Sequence, residues 1–151
     1  MNNSALRRAQ AGITLMELLI VVAIISIISA VAYPSYTQFV TRSKRTAGAT
    51  ALMQIADRQQ QFFMDNKRYA TSLTSLGYDN DSIMIDEDGQ VVTTGSDDRI
   101  YSIQISASNI VTYELTATPQ LMQAKKDSEC GALTLTQTGE RGNSGSGDDC
   151  W

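Results

Sequence analysis

The chain has 151 residues, sixteen Asp and Glu against twelve Lys and Arg, a formal charge of −4, two cysteines and no histidine. That length leaves room for one domain beyond an apolar start, and the acidic balance argues against a broad nucleic-acid surface while leaving local basic clusters open. Without histidine the commonest general base, the usual catalytic triads and most zinc sites are gone, so no enzyme, no cofactor and no metal site are expected.

From Ile13 to Tyr33 an apolar run is interrupted only by Thr14, Glu17, Ser26 and Ser29. As a helix it is about long enough to cross a hydrocarbon core of roughly 30 Å. An ionised carboxylate in that core costs roughly 2.5 to 3.5 kcal/mol on insertion scales and is normally kept only where it has a partner. Arg7 and Arg8 lie more than two helical turns upstream, and residues 9 to 12 are uncharged. A cut after Gly12 would place a free α-ammonium on Ile13, four residues before Glu17, where it can pair within one chain or between stacked helices. Two other readings compete. Ala30-Val31-Ala32 fits a secretory cleavage site that would release a domain starting at Tyr33, and the run could equally be an uncleaved anchor. Arg7 and Arg8 on one side and Arg42, Lys44 and Arg45 on the other leave orientation open. Cys130 and Cys150 read as a disulfide in an exported domain, which places the C-terminal part outside the cytoplasm.

Beyond Pro34, residues Tyr36, Phe39, Val40, Ala47, Ala51, Leu52, Ile55, Phe62 and Phe63 recur at helical spacing. The pattern predicts one long helix over about 13 to 65, stopping at Asp65-Asn66. Residues 66 to 82 read as a connector. Strands follow at 83–85 and 90–94 around an Asp86-Glu87-Asp88-Gly89 hairpin loop, then at 99–106 and 110–118, with Tyr101, Ile103, Ile105 and Val111, Tyr113, Leu115 on one face. Another run, 133–138, lies between the cysteines. The expected fold class is α+β: a long N-terminal helix, half membrane segment and half amphipathic, covering an antiparallel sheet of three to four strands. The end, 139 to 151, is too rich in Gly, Ser and Asp to pack itself, and the disulfide would pin it.

Candidate binding groups are few. The acids Asp79, Asp81, Asp86, Glu87 and Asp88 invite a calcium reading, but an EF-hand register ending at Gly89 puts its first ligand on Met84, so solvated turn acids fit better. Lys67-Arg68-Tyr69 and Lys125-Lys126 are small basic points, the first beside an aromatic able to stack on a base. Ordinary solvated charge, with Tyr69 anchoring a loop, is the competing reading. Arg42, Lys44 and Arg45 are placed to meet lipid headgroups or neighbouring subunits.

Gly12 followed by Ile13-Thr14-Leu15-Met16-Glu17-Leu18, the apolar helix and Pro34 resemble the class III signal of type IV prepilins and of the related pseudopilins of type II secretion. The family usually starts its mature chain with Phe, where this one has Ile13. The resemblance implies that 1–12 is a leader removed by a prepilin peptidase between Gly12 and Ile13, that the Ile13 amine is methylated, and that Glu17 pairs with it during filament assembly. It also implies that 13–33 is the transmembrane and filament-core helix and 34–151 the exported globular domain. Cys130-Gly131, Leu133-Thr134-Leu135, Gly139-Glu140-Arg141-Gly142 and Cys150-Trp151 resemble the ending of the PilE-type minor pilins of type IVa pili, whose cysteine-bounded loop is exposed. A type IV pilin-like fold is implied, with one pass through the inner membrane and a periplasmic C-terminal domain before assembly, and a cell-surface pilus after it. The implied partners are other pilins, major and minor, the prepilin peptidase and the inner-membrane assembly platform. The implied roles are pilus biogenesis, twitching motility, adhesion or DNA uptake. A DNA-binding competence pilin and a type II secretion pseudopilin are the alternatives.

Overall fold

The long helix α1 runs Leu15–Asn66 in the computed structural model, which describes residues 13–151. Arg7, Arg8 and Gly12 lie outside the described residues. The helix starts where its backbone needs a partner: the Thr14 hydroxyl oxygen accepts the Glu17 amide at 3.2 Å, an N-cap. It ends at Lys67, whose φ of 56° is left-handed and whose amide donates to the Phe63 carbonyl at 2.8 Å. Pro34 sits inside it, and the Thr37 hydroxyl donates to the Pro34 carbonyl at 2.9 Å.

The described residues fall into two compact units, one up to Gln38 and one from Phe39 to Trp151. In the first, no residue is buried. In the second, α1 buries one stripe: Thr41, Gly48, Ala49, Ala51, Leu52, Ile55 and Gln59. Phe39, expected on that stripe, is 70% exposed because the cover begins only at Thr41. Gln59 is buried at no hydrogen-bond cost: its side-chain amide donates to the Ala70 carbonyl at 2.9 Å and accepts the Ala70 amide at 2.8 Å. That pairing ties the connector to the helix.

The sheet is antiparallel and six-stranded: β1 (Ser82–Ile85), β2 (Val91–Val92), β3 (Tyr101–Ser108), β4 (Tyr113–Pro119), β5 (Leu133–Thr136) and β6 (Arg141–Asn143), in the order β2-β1-β3-β4-β5-β6. A short helix α2 (Leu121–Lys126) joins β4 to β5. The sheet has more strands than the three or four expected because short strands extend both edges. β6 carries Gly and Asn where strand propensity is low. Pairing with β5 and the Trp151 indole, which donates to the Gly142 carbonyl at 2.8 Å, hold it in place.

The β1–β2 hairpin forms as predicted. The Asp86 carboxylate accepts the Asp88 and Gln90 amides, and Gly89 supplies the positive φ of 77°. Tyr101 and Ile103 on β3, and Tyr113, Leu115 and Ala117 on β4, face the core. Val111 does not, being 65% exposed. The Asn109 carboxamide oxygen accepts the Val111 and Thr112 amides and turns residues 109–112 into a tight connection, so β4 starts at Tyr113. Ile105 is only half-buried, next to a register shift between Ile105 and Ala107. Leu52 and Ile55 of α1 meet Ile85, Ile103, Leu115 and Leu133 of the sheet in one core. There α1 comes so close to β3 that a Cβ on Gly48 would lie 3.0 Å from the Tyr101 ring.

Candidate functional site

Two sets of residues carry chemistry. The first is at the start of α1. Ile13 is 75% exposed and stands immediately before the Thr14 cap, and Glu17 occupies the first helical turn. Among the described residues Glu17 makes no ion pair, and Leu15, Met16, Leu18 and the apolar side chains on to Val31 all face outward. A carboxylate in a first turn sits favourably against the helix dipole. A surrounding of apolar side chains makes it a strong attractor for any cation brought to that end without water.

The second set lies beneath the C-terminal loop. Cys130 and Cys150 form a disulfide with Cα atoms 5.5 Å apart. Backbone bonds align the loop's two arms: the Gly145 amide donates to the Cys130 carbonyl at 3.0 Å and the Gly147 amide to the Glu129 carbonyl at 2.8 Å. Arg45 reaches this loop from α1. Its Nε donates to Asp127 Oδ2 at 2.9 Å, its Nη2 to Asp127 Oδ1, and its Nη1 to the Asp149 carbonyl at 2.9 Å. The Gln123 amide group donates to Asp127 Oδ2 at 3.1 Å and to the Thr41 carbonyl at 3.2 Å, and the Tyr101 hydroxyl donates to the same carboxylate oxygen at 3.3 Å. Burial pushes the Tyr101 hydroxyl above the usual phenol range. Among the described residues every buried side-chain nitrogen and oxygen has a partner.

Arg45, expected with Arg42 and Lys44 to meet lipid headgroups or neighbouring subunits, instead turns inward to Asp127. The signal was present: Thr41, Arg45, Gly48, Leu52, Ile55 and Gln59 step by four and three, so Arg45 lies on the inward stripe. Lys44, one position round, is salt-bridged to Glu87 at 3.1 Å.

The expected basic points do not meet. Lys67 and Arg68 are exposed just past α1, and Lys125 and Lys126 occupy the last turn of α2. The Tyr69 ring lies 4.7 Å from Phe63 and 4.8 Å, edge-on, from Tyr113, and its amide donates to the Ile110 carbonyl at 3.2 Å. That ring anchors a loop. Tyr69 touches the start of β4 while α2 follows its end, so about 20 Å of strand separates the two clusters.

Residues 34–134 match the family model described as "Type IV minor pilin ComP, DNA uptake sequence receptor", and residues 7–33 match that of the prokaryotic N-terminal methylation motif. The type IV major pilin protein PilA of Myxococcus xanthus (strain DK1622) is 39% identical over 67 residues, covering 44% of this chain and only 30% of that relative. A fimbrial protein of Pseudomonas aeruginosa is 30% identical over 107 residues, 67% of this chain and 69% of that one. Among solved structures, a type IV pilin from Shewanella oneidensis aligns with a TM-score of 0.47 at 19% identity, over 74% of this chain and 97% of that one.

Proposed function

We propose, from the premise that the chain belongs to the type IV minor pilin family, that it enters a filament by leader removal, amine methylation and a buried charge pair. The chain is a pilus subunit whose partners are other pilins, and its prepilin motif and apolar helix fit a membrane-anchored protein assembled into a surface pilus. In the finer reading, a prepilin peptidase cuts between Gly12 and Ile13, and the Ile13 amine is methylated. Until extraction by the assembly platform, the chain crosses the inner membrane once, with residues 34–151 in the periplasm. The Ile13 amine then pairs with Glu17 of its own or a neighbouring chain as the apolar helices bundle.

The observation that carries this is the pairing of an outward apolar surface from Ile13 to Val31 with one carboxylate that has no ion pair among the described residues. Lipid covers such a surface before assembly and sister helices cover it afterwards, and both settings demand a counter-charge for Glu17. The intact mass of the protein from sheared filaments tests the reading. A chain starting at Ile13 and one methyl group heavier is expected. A chain starting at Tyr33, or at Met1, overturns it.

Among the roles open to a pilin, DNA capture for uptake is favoured by the description of the family model that covers 34–134. Labelled DNA should be retained by cells carrying the protein and lost when the gene is removed. Unchanged retention, with motility or adhesion impaired instead, would assign the subunit to those processes.

A further inference from the structure

Where α1 stops, the domain carries an exposed aliphatic tip beside two cations. The β3–β4 connection is a tight turn: the Asn109 amide donates to the Thr112 carbonyl at 2.9 Å, and the Asn109 carboxamide oxygen accepts the Val111 and Thr112 amides, each at 2.9 Å. That turn holds Ile110 and Val111 away from the core, 68% and 65% exposed. The Tyr69 amide donates to the Ile110 carbonyl, which brings Lys67 and Arg68, the two residues before it, alongside the tip. Both cations are exposed and make no ion pair among the described residues. Met64, in the last turn of α1, is a third exposed apolar side chain at this end. Lys67 also takes a left-handed backbone position, φ 56°, where glycine is the ordinary residue at a helix end. Apolar side chains scattered singly over a surface need no explanation, but a consecutive Ile and Val beside two unpaired cations form one patch with two chemistries.

We propose that this end of the domain docks onto an anionic phospholipid bilayer, with Ile110 and Val111 entering between the headgroups and Lys67 and Arg68 on the lipid phosphates. Aliphatic side chains gain where they reach hydrocarbon, and cations at their base are then level with the phosphate layer, the arrangement of an interfacial anchor. The Val111 amide and the Ile110 carbonyl are already bonded within the chain, so at these positions the tip enters a water-poor layer with its peptide groups satisfied. The chain as a whole is acidic and is repelled by anionic lipid, so docking depends on these two cations standing at the contact. A protein partner fits less well, because stable interfaces bury about 800 Å² on each side, more than a short turn and two cations offer. A nucleic-acid duplex supplies phosphate for Lys67 and Arg68, but its solvated backbone gives Ile110 and Val111 nothing apolar to enter.

The full-length protein is reconstituted through its apolar segment into phosphatidylcholine vesicles fixed to a surface, and the retention of dye-labelled acceptor vesicles is measured. Acceptors containing phosphatidylglycerol should be held, pure phosphatidylcholine acceptors should wash away, and retention should fall as salt rises. Lys67→Gly/Arg68→Gln should weaken retention about thirtyfold, the factor for two cations at a membrane surface. Its denaturant midpoint should be no lower than the parent's, since glycine suits the backbone at 67, so the loss is not one of folding. Ile110→Ser/Val111→Ser should weaken retention at least about tenfold with the charge unchanged. Lys125→Gln/Lys126→Gln, which removes the same charge elsewhere, should dock like the parent. An equal loss in that variant reduces the effect to net charge and overturns the proposal, as does equal retention of phosphatidylcholine acceptors or retention of neither kind. Labelled duplex DNA held in place of the acceptors, and lost in Lys67→Gly/Arg68→Gln, assigns the cations to nucleic acid and also overturns it.

Discussion

The part of α1 before Gln38 and the domain from Phe39 onward handle charge in opposite ways. In the domain, the Asp127 side chain is 1% exposed and is answered from within the chain by Arg45, Gln123 and Tyr101. In the first unit, Glu17 stands among outward apolar side chains with no ion pair among the described residues. The domain completes its own electrostatics, so a change there is read as stability. In the proposed reading the charge of the first unit is answered during filament assembly, so a change there is read as assembly.

The change that separates the two units most sharply is Glu17→Ala. The variant should unfold at the same denaturant concentration as the parent, because no interaction of the domain involves Glu17. Its share of sheared filaments should nevertheless fall at least about tenfold, the factor that follows from losing 1.4 kcal/mol or more of an intramembrane charge pair. Equal incorporation would break the comparison.

Arg45→Met is the mirror experiment. It leaves the buried Asp127 carboxylate without its cation, which should cost about 3 to 5 kcal/mol in equilibrium unfolding. Arg45→Met/Asp127→Leu, which removes both charges, should recover most of the loss. If the double variant is as unstable as the single one, the cluster acts through the geometry of the loop and not through charge.

The two units also differ in how legible they were. The long helix and the β1–β2 hairpin were readable because each rests on local information: an apolar run with helical spacing, a cap, an Asp-Gly turn. The strand over 110–118 was misplaced at its start because Asn109 spends its side chain on closing a turn, a choice that alternation of apolar residues does not encode. Strand β6 was unreadable for a different reason. Arg141–Asn143 has no strand propensity to detect, and the Trp151 indole bond to the Gly142 carbonyl that helps hold it leaves no local pattern, although the disulfide that pins this end was legible. The two basic clusters stand near opposite ends of β4, a placement that a linear sequence does not show. Arg45 was the recoverable miss, since the helical period already placed it with Leu52 and Ile55.

A smaller effect probes how tightly the domain is closed. Gly48→Ala gains helix propensity of about 1 kcal/mol but pushes a methyl against the Tyr101 ring at 3.0 Å. Tyr101 is fully buried and its hydroxyl is tied to Asp127, so the ring has little room to move. Overpacking of this kind typically costs 1 to 3 kcal/mol, so a net loss of about 1 kcal/mol is expected in thermal or chemical unfolding. A gain in stability would show a looser contact between α1 and β3 than these distances imply.

The smallest effect is a change in the shape of a pH profile. Burial raises the Tyr101 hydroxyl above its ordinary value, so below about pH 10 it is protonated in folded and unfolded chains alike and its contribution is fully present. Above that pH the unfolded chain loses its proton first, and stability falls as pH rises toward the folded value, by up to about 1.4 kcal/mol per pH unit for one group. Tyr101→Phe should start about 1 to 2 kcal/mol less stable at neutral pH, since Asp127 keeps Arg45 and Gln123 but two 3.3 Å bonds of the hydroxyl are lost, the one it donates to Asp127 and the one it accepts from Gln123. It should then decline less steeply, so that the two curves converge above pH 10. What decline remains belongs in part to Tyr78 and Tyr113, whose hydroxyls burial also raises. Parallel curves would mean that the hydroxyl ionises in the folded domain as readily as in water, and that the cluster around Asp127 is open to solvent after all.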